Sequence, residues 1–143
     1  MRCLRYLLAL LFVINSTSIF SQDLKKYQWK NRIILLKANT LQANCIKEQL
    51  KNLETKSLDL LEREVLLFII TDKVVYDILG EDSKLDAGAI LQKYKLINFE
   101  GLVLIGKDGE TKLKEEFVVN PSKIINLIDG MPMRIREIQE KNH

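Results

Sequence analysis

Trp29-Lys-Asn-Arg-Ile-Ile-Leu-Leu-Lys-Ala38 opens polar and turns apolar, the pattern of a strand in the middle of a sheet. Glu64-Val-Leu-Leu-Phe-Ile-Ile-Thr71 is a second, continuous apolar run, suited to a strand covered on both faces. Between them Ile46, Leu50 and Leu53 recur at helical spacing, with Lys47, Glu48, Lys51 and Glu54 on the opposite side. Strand, helix, strand requires a crossover connection, so the two strands are expected to pair in parallel.

The remainder of the chain extends this unit. An acidic connection, Asp77 to Asp82 with a turn at Gly80, leads to a second helix over Asp86 to Tyr94. Its apolar positions are Ala87, Ile90, Leu91 and Tyr94. Gly101 to Ile105 reads as another strand. Lys107-Asp-Gly-Glu110 supplies the Asp-Gly pair of two-residue hairpin loops, where both turn residues accept positive φ, and Thr111 to Val119 returns as the partner. Asn120-Pro121 opens a helix whose apolar face is Ile124, Ile125 and Ile128, and Gly130 with Pro132 is expected to stop it. Met133 to Lys141 forms a short further helix. This order predicts an α/β fold, a thioredoxin-like three-layer sandwich with a mixed sheet of four to five strands and helices on both faces.

Arg2 and Arg5 precede the apolar run Leu7 to Ile14, and a polar stretch with Ser21 follows. That is the layout of an export signal over residues 1–21, cleaved near Ser21–Gln22. The run is far shorter than the roughly 20 residues that span a bilayer, so no stable membrane span is expected after cleavage. Residues 22–143 then form a single domain, exported to the periplasm or the extracellular space. Losing Arg2 and Arg5 with the leader takes the net charge from +3 to about +1. No basic stripe with interleaved aromatics remains, which argues against nucleic acid as a partner. Cys3 leaves with the leader, so Cys45 stands alone and no intramolecular disulfide can form. Stability must come from an apolar core, which a mature chain of about 120 residues is long enough to build.

Several chemistries can be weighed residue by residue. Cys45 lies near a helix N-terminus, where the macrodipole favours a thiolate and Lys47 adds positive potential. It also sits at the edge of the apolar stripe, and free cysteine commonly packs as a small hydrophobe. Gly101-Leu-Val-Leu-Ile-Gly-Lys107 imitates a phosphate loop, but its intervening residues are strand-forming and Asp108 replaces the magnesium-binding hydroxyl. His143 is the only histidine and ends the chain, so neither a Ser/His/Asp arrangement nor a histidine-ligated metal is expected. Asp77, Glu81, Asp82 and Asp86 lack calcium-loop spacing and read as a solvated loop. No metal and no cofactor is predicted. Tyr27 and Trp29 alternate before the first strand, either lining a surface groove or covering the sheet. Arg134 and Arg136 suit an anion or a partner carboxylate, or else pair with Glu137 and Glu140 at helical spacing.

Three segments carry a family resemblance. Asp23-Leu-Lys-Lys-Tyr-Gln-Trp-Lys-Asn-Arg32, Leu104-Ile-Gly-Lys-Asp-Gly109 and Ile128-Asp-Gly-Met-Pro-Met-Arg134 resemble the domain of unknown function numbered 4174. The likeness spans nearly the whole mature chain, and the Met-Pro-Met-Arg ending is its most specific part. It implies a thioredoxin-like or peroxiredoxin-like fold and a secreted protein, since similar chains include small exported bacterial proteins and matrix-associated proteins bearing sushi repeats. It implies no catalytic residue. A looser likeness to thioredoxin runs from Lys93-Tyr94 through Lys107-Asp-Gly-Glu110. Thioredoxins need an attacking cysteine where Gln42 stands and a proline near Gly101, and this chain has neither. A one-cysteine peroxidase carries a threonine and a proline shortly before its thiol; here Thr40 is five residues upstream of Cys45 with no proline between.

The expectation is a non-catalytic exported module that binds a protein or glycan partner through Tyr27, Trp29, Arg134 or Arg136. The alternative is a peroxiredoxin-like or thioredoxin-like redox protein using Cys45. A third reading has Cys45 join the chain covalently to a partner.

Overall fold

A computed structural model describes residues 23–142. The expected leader over residues 1–21 and the terminal His143 lie outside the described residues. The sheet has five strands: β1 (Arg32–Lys37), β2 (Val65–Ile70), β3 (Val75–Tyr76), β4 (Gly101–Ile105) and β5 (Thr111–Glu115), in the order β3-β2-β1-β4-β5. β1 is central. It pairs in parallel with β2 and antiparallel with β4, while β2–β3 and β4–β5 are antiparallel. The helices are α1 (Asn44–Glu54), α2 (Ser57–Glu62), α3 (Ala87–Lys93), α4 (Pro121–Asp129) and α5 (Pro132–Lys141). A short 3-10 turn, Leu24–Tyr27, precedes β1.

Side chains alternate across a strand, so β1 and β4 feed two cores. Ile33, Leu35, Val103 and Ile105 pack with Ile90 and Leu91 of α3 on one face. Ile34, Leu36, Leu102 and Leu104 pack with Ile46 and Leu53 of α1 and Ile124, Ile125 and Ile128 of α4 on the other. Helices therefore cover both faces, and all six residues of β1 are buried. No helix among the described residues is long and apolar enough to cross a membrane.

Local signals act largely as the sequence suggested. Asp86 accepts from the Ala89 amide at 2.9 Å and so caps α3. Asn120 accepts from the Ser122 amide at 2.8 Å at the start of α4, with Pro121 in the first turn. Other details differ. The first half of β2 is only partly buried, because β3 pairs with Ile69 and Ile70 alone and leaves the earlier residues without an outer strand. The hairpin closes through the Gly106 amide on the Glu110 carbonyl at 2.9 Å. Only Gly109 takes a positive φ (+83°), while the Asp108 carboxylate accepts from the Glu110 amide at 3.1 Å. The two-residue loop with paired positive φ is thus replaced by a wider one. Gly130 caps α4 as expected, but Pro132 begins α5 instead of marking a stop, since its missing N–H costs nothing in a first turn. The short elements α2 and β3 have no periodic signal in the sequence.

Candidate functional site

At the N-terminal end of β1, Arg32 projects on the same face as Ile34 and Leu36. The backbone after β4 brings Lys107 to this end, because β4 runs antiparallel to β1. The α4–α5 turn brings Asp129, Arg134 and Glu137. Arg63 and Glu62 arrive from the end of α2. These groups form one ionic cluster. Arg32, 1% exposed, donates from Nη1 and Nη2 to the two Glu137 carboxylate oxygens at 3.3 and 3.1 Å, and from Nη1 to the Arg63 carbonyl at 2.9 Å. Lys107 Nζ lies 2.7 Å from Glu137 Oε1 and also donates to Glu64. Arg63 grips Asp129 with Nε and Nη2 at 2.8 and 2.7 Å. Arg134, 2% exposed, reaches Glu62 at 2.8 Å, Asp129 at 3.4 Å and Glu137 at 3.6 Å.

The ionisation of the cluster follows from this geometry. Burial alone would raise the Glu137 carboxyl, but hydrogen bonds from Lys107 and Arg32 outweigh it and hold the group below the ordinary range. The hydrogen bond from Arg63 does the same for Asp129 against a smaller burial penalty. Lys107 is penalised by burial yet ends above its ordinary value, because Glu137 and Glu64 favour its charged form. Glu137, Asp129 and Lys107 are therefore all charged at neutral pH.

Beside the cluster opens a cavity of about 460 Å³. Arg32, Lys107, Asp108 and Lys112 supply its charged part, and Leu127, Met131 and Met133 its apolar wall. The three segments on which the family resemblance rests meet here, through Arg32, through Gly106 to Asp108 and through Gly130 to Met133.

The candidate residues read from the sequence do not share one place. Arg134 is inside the ionic cluster, holding carboxylates of its own chain, including Glu137 three residues on. Arg136 is exposed on α5. Tyr27 is half-buried against the α3-side core, its ring 5.6 Å from that of Phe68 and under Lys26 Nζ. Trp29 is 65% exposed with φ +67°, and its amide donates to the Lys107 carbonyl at 2.6 Å. It thus stands beside the strand end that bears the cavity. Cys45 is the second residue of α1, beyond the opposite end of β1. It is a free, half-buried thiol packed against the core that holds Ile46 and Leu36. Its helix has no side-chain cap, because Ala43 occupies the capping position. Among the described residues no group of His, Cys, Asp and Glu could hold a metal ion.

Arg32, Lys107 and Glu137 are absent from the sequence-derived candidates. One signal was available: Arg32 and Lys37 bracket an otherwise apolar strand, and a charge at the end of a central strand needs a buried partner. At the other end Lys37 is 1% exposed and its Nζ lies 2.9 Å from Asp72, a carboxylate that is itself largely exposed.

Comparison with known proteins places the architecture. The chain resembles the crystal structure of the reduced 2-Cys peroxiredoxin of Plasmodium vivax, with a TM-score of 0.53 and 14% identity over 82% of this chain and 84% of that one. At 14% identity that likeness speaks for a thioredoxin-like fold alone. The solution structure of the reduced N-terminal domain of PilB from N. meningitidis aligns with 73% of this chain and 84% of that one, at 15% identity and a TM-score of 0.47. No curated protein matches the chain. The family profile described as domain of unknown function DUF4174 matches residues 23–137, and the chain belongs to that family.

Proposed function

We propose that this protein is an exported, non-catalytic thioredoxin-fold module that binds a protein or glycan partner outside the cytoplasm. The observation that carries the reading is the separation of the two ends of the sheet. The open cavity, with its charged floor and methionine wall, lies at the start of β1. Cys45 lies past the other end, half-buried among apolar neighbours. Thiol exchange needs an attacking and a resolving sulfur, and Gln42 stands where the first would be. Recognition of a partner needs only a shaped, chemically mixed surface, which the cavity end provides.

Two measurements test this. Peroxide consumption and thiol-dependent disulfide reduction by the mature chain are expected to match those of Cys45→Ser. Turnover that disappears with the thiol would overturn the reading in favour of redox chemistry at Cys45. N-terminal sequencing of protein recovered outside the cytoplasm is expected to begin near Gln22; an intact Met1 on that material would refute the cleaved leader.

A further inference from the structure

An arginine fork closed by a lysine ammonium is the donor set that grips a planar carboxylate. Arg32 and Lys107 form such a set, and the carboxylate it holds is Glu137 of the chain's own last described helix. Charge fastens much of that helix, through Arg134 and Glu137. Arg134 is the only buried residue of α5, while Ile135 and Ile138 remain 44% and 38% exposed. Movement of residues 136–141 alone would uncover part of Ile138 and leave Met133, Arg134 and Ile135 in place. What such movement cannot do is leave Arg32 alone, since an unpaired buried guanidinium is costly.

A second carboxylate removes that obstacle. Exchanging one for another keeps Arg32 and Lys107 neutralised throughout. Both residues line the open cavity, although their side chains are only 1% and 10% exposed while Glu137 is in place. Moreover, Arg32 Nε is buried and has no hydrogen-bond partner, so the guanidinium holds a donor that Glu137 does not use.

We infer that the Arg32–Lys107 pair is a carboxylate-receiving site, occupied in cis by Glu137 and opened in trans by a peptide segment of a partner protein that bears a glutamate or aspartate beside an apolar residue. The inference rests on the binding-module reading and gives its partner a chemistry. A tethered carboxylate competes at an effective concentration of order millimolar, so a small free carboxylate does not displace it. A peptide does, because an apolar side chain next to its acidic residue gains contact with Leu127, Met131 and Met133, which stay in place when only residues 136–141 swing out. Methionine walls adapt to varied side chains, which suits this role. Glu137 thereby acts as an autoinhibitory stand-in for the partner's carboxylate.

The test uses the full chain, wild type and Glu137→Gln, and a fluorescent synthetic peptide with the sequence of residues 131–141 as the probe. Glu137→Gln keeps the side-chain shape and an acceptor while removing the competing charge. The peptide is expected to bind Glu137→Gln at least tenfold more tightly than wild type. Its counterpart carrying Glu137→Gln within the peptide is expected to lose that gain. Equal binding of the two peptides, or no binding to a folded Glu137→Gln chain, would overturn the inference. Hydrogen exchange of the wild-type chain supplies a test independent of any variant. Amides of residues 136–141 are expected to open while those of β1 stay protected; exchange of both only in global unfolding would overturn it. Neither result bears on the Cys45 comparison, so failure here is separable from failure of the binding-module reading.

Discussion

Gln49 has no exposed surface, and its side-chain amide bridges α1 to the segment before α4. Nε2 donates to the Val119 carbonyl at 2.9 Å, and Oε1 accepts from the Val119 amide at 2.7 Å. Gln49→Leu fills the same space but strands both backbone groups in the core. A loss of about 3 kcal/mol is expected in denaturant unfolding, at about 1–3 kcal/mol for each unsatisfied group. The sequence pattern picks out Ile46, Leu50 and Leu53 and passes over Gln49, which the fold buries between Ile46 and Leu53 because its partner lies 70 residues away. Gly101 is a second such position. A Cβ there would lie 2.2 Å from the Glu115 carbonyl oxygen and 2.6 Å from the Phe99 ring. Gly101→Ala is therefore expected to cost upwards of 2 kcal/mol by overpacking, read as a lower midpoint in the same experiment. The absence of a proline near this point was legible in the sequence. That not even a methyl fits there was not.

Among the elements, α5 shows how charge can substitute for an apolar stripe. Glu62, Asp129 and Glu137 all titrate below their ordinary values, each held by an arginine or lysine of the cluster. A carboxyl depressed in the folded state stabilises fully above its unfolded value, about 3.9 for Asp and 4.3 for Glu, and that contribution fades as pH falls through the folded value. Docking of α5 is thus expected to be constant through neutrality and to weaken below about pH 4. Methyl resonances of Ile135 and Ile138 would report it, shifting in acid before those of Ile34 do. A shift of the two sets together would refute separate loosening of the helix. Since Lys107 is raised above its ordinary value, its contribution persists well into alkaline solution. The elements with a strong local signal, α1, α3, α4 and the strands β1 and β4, were readable from periodicity and caps. The placement of α5 was not, because its one buried residue is an arginine and hydropathy carries no information on ion pairing.

In the whole molecule, β1 couples two cores through adjacent residues. Leu35 and Leu36 are both fully buried but face opposite sides, one toward α3 and the other toward α1 and α4. Leu35→Ala and Leu36→Ala are each expected to cost about 3 kcal/mol. Each variant should still unfold in one transition, with near- and far-ultraviolet dichroism coincident; a split confined to one variant would show that the two cores unfold separately. The element order, the parallel–antiparallel character of the sheet and the thioredoxin-like class were all legible along the chain. Periodicity, capping and crossover connections are properties of short stretches, and they survive reading one residue after another. The site was legible only in the folded molecule. Arg32 and Glu137 are 105 positions apart, and the reach from Arg63 to Asp129 is 66. Such pairs form where the sheet end, the α2 terminus and the α4–α5 turn converge, and that convergence exists only once the chain is folded.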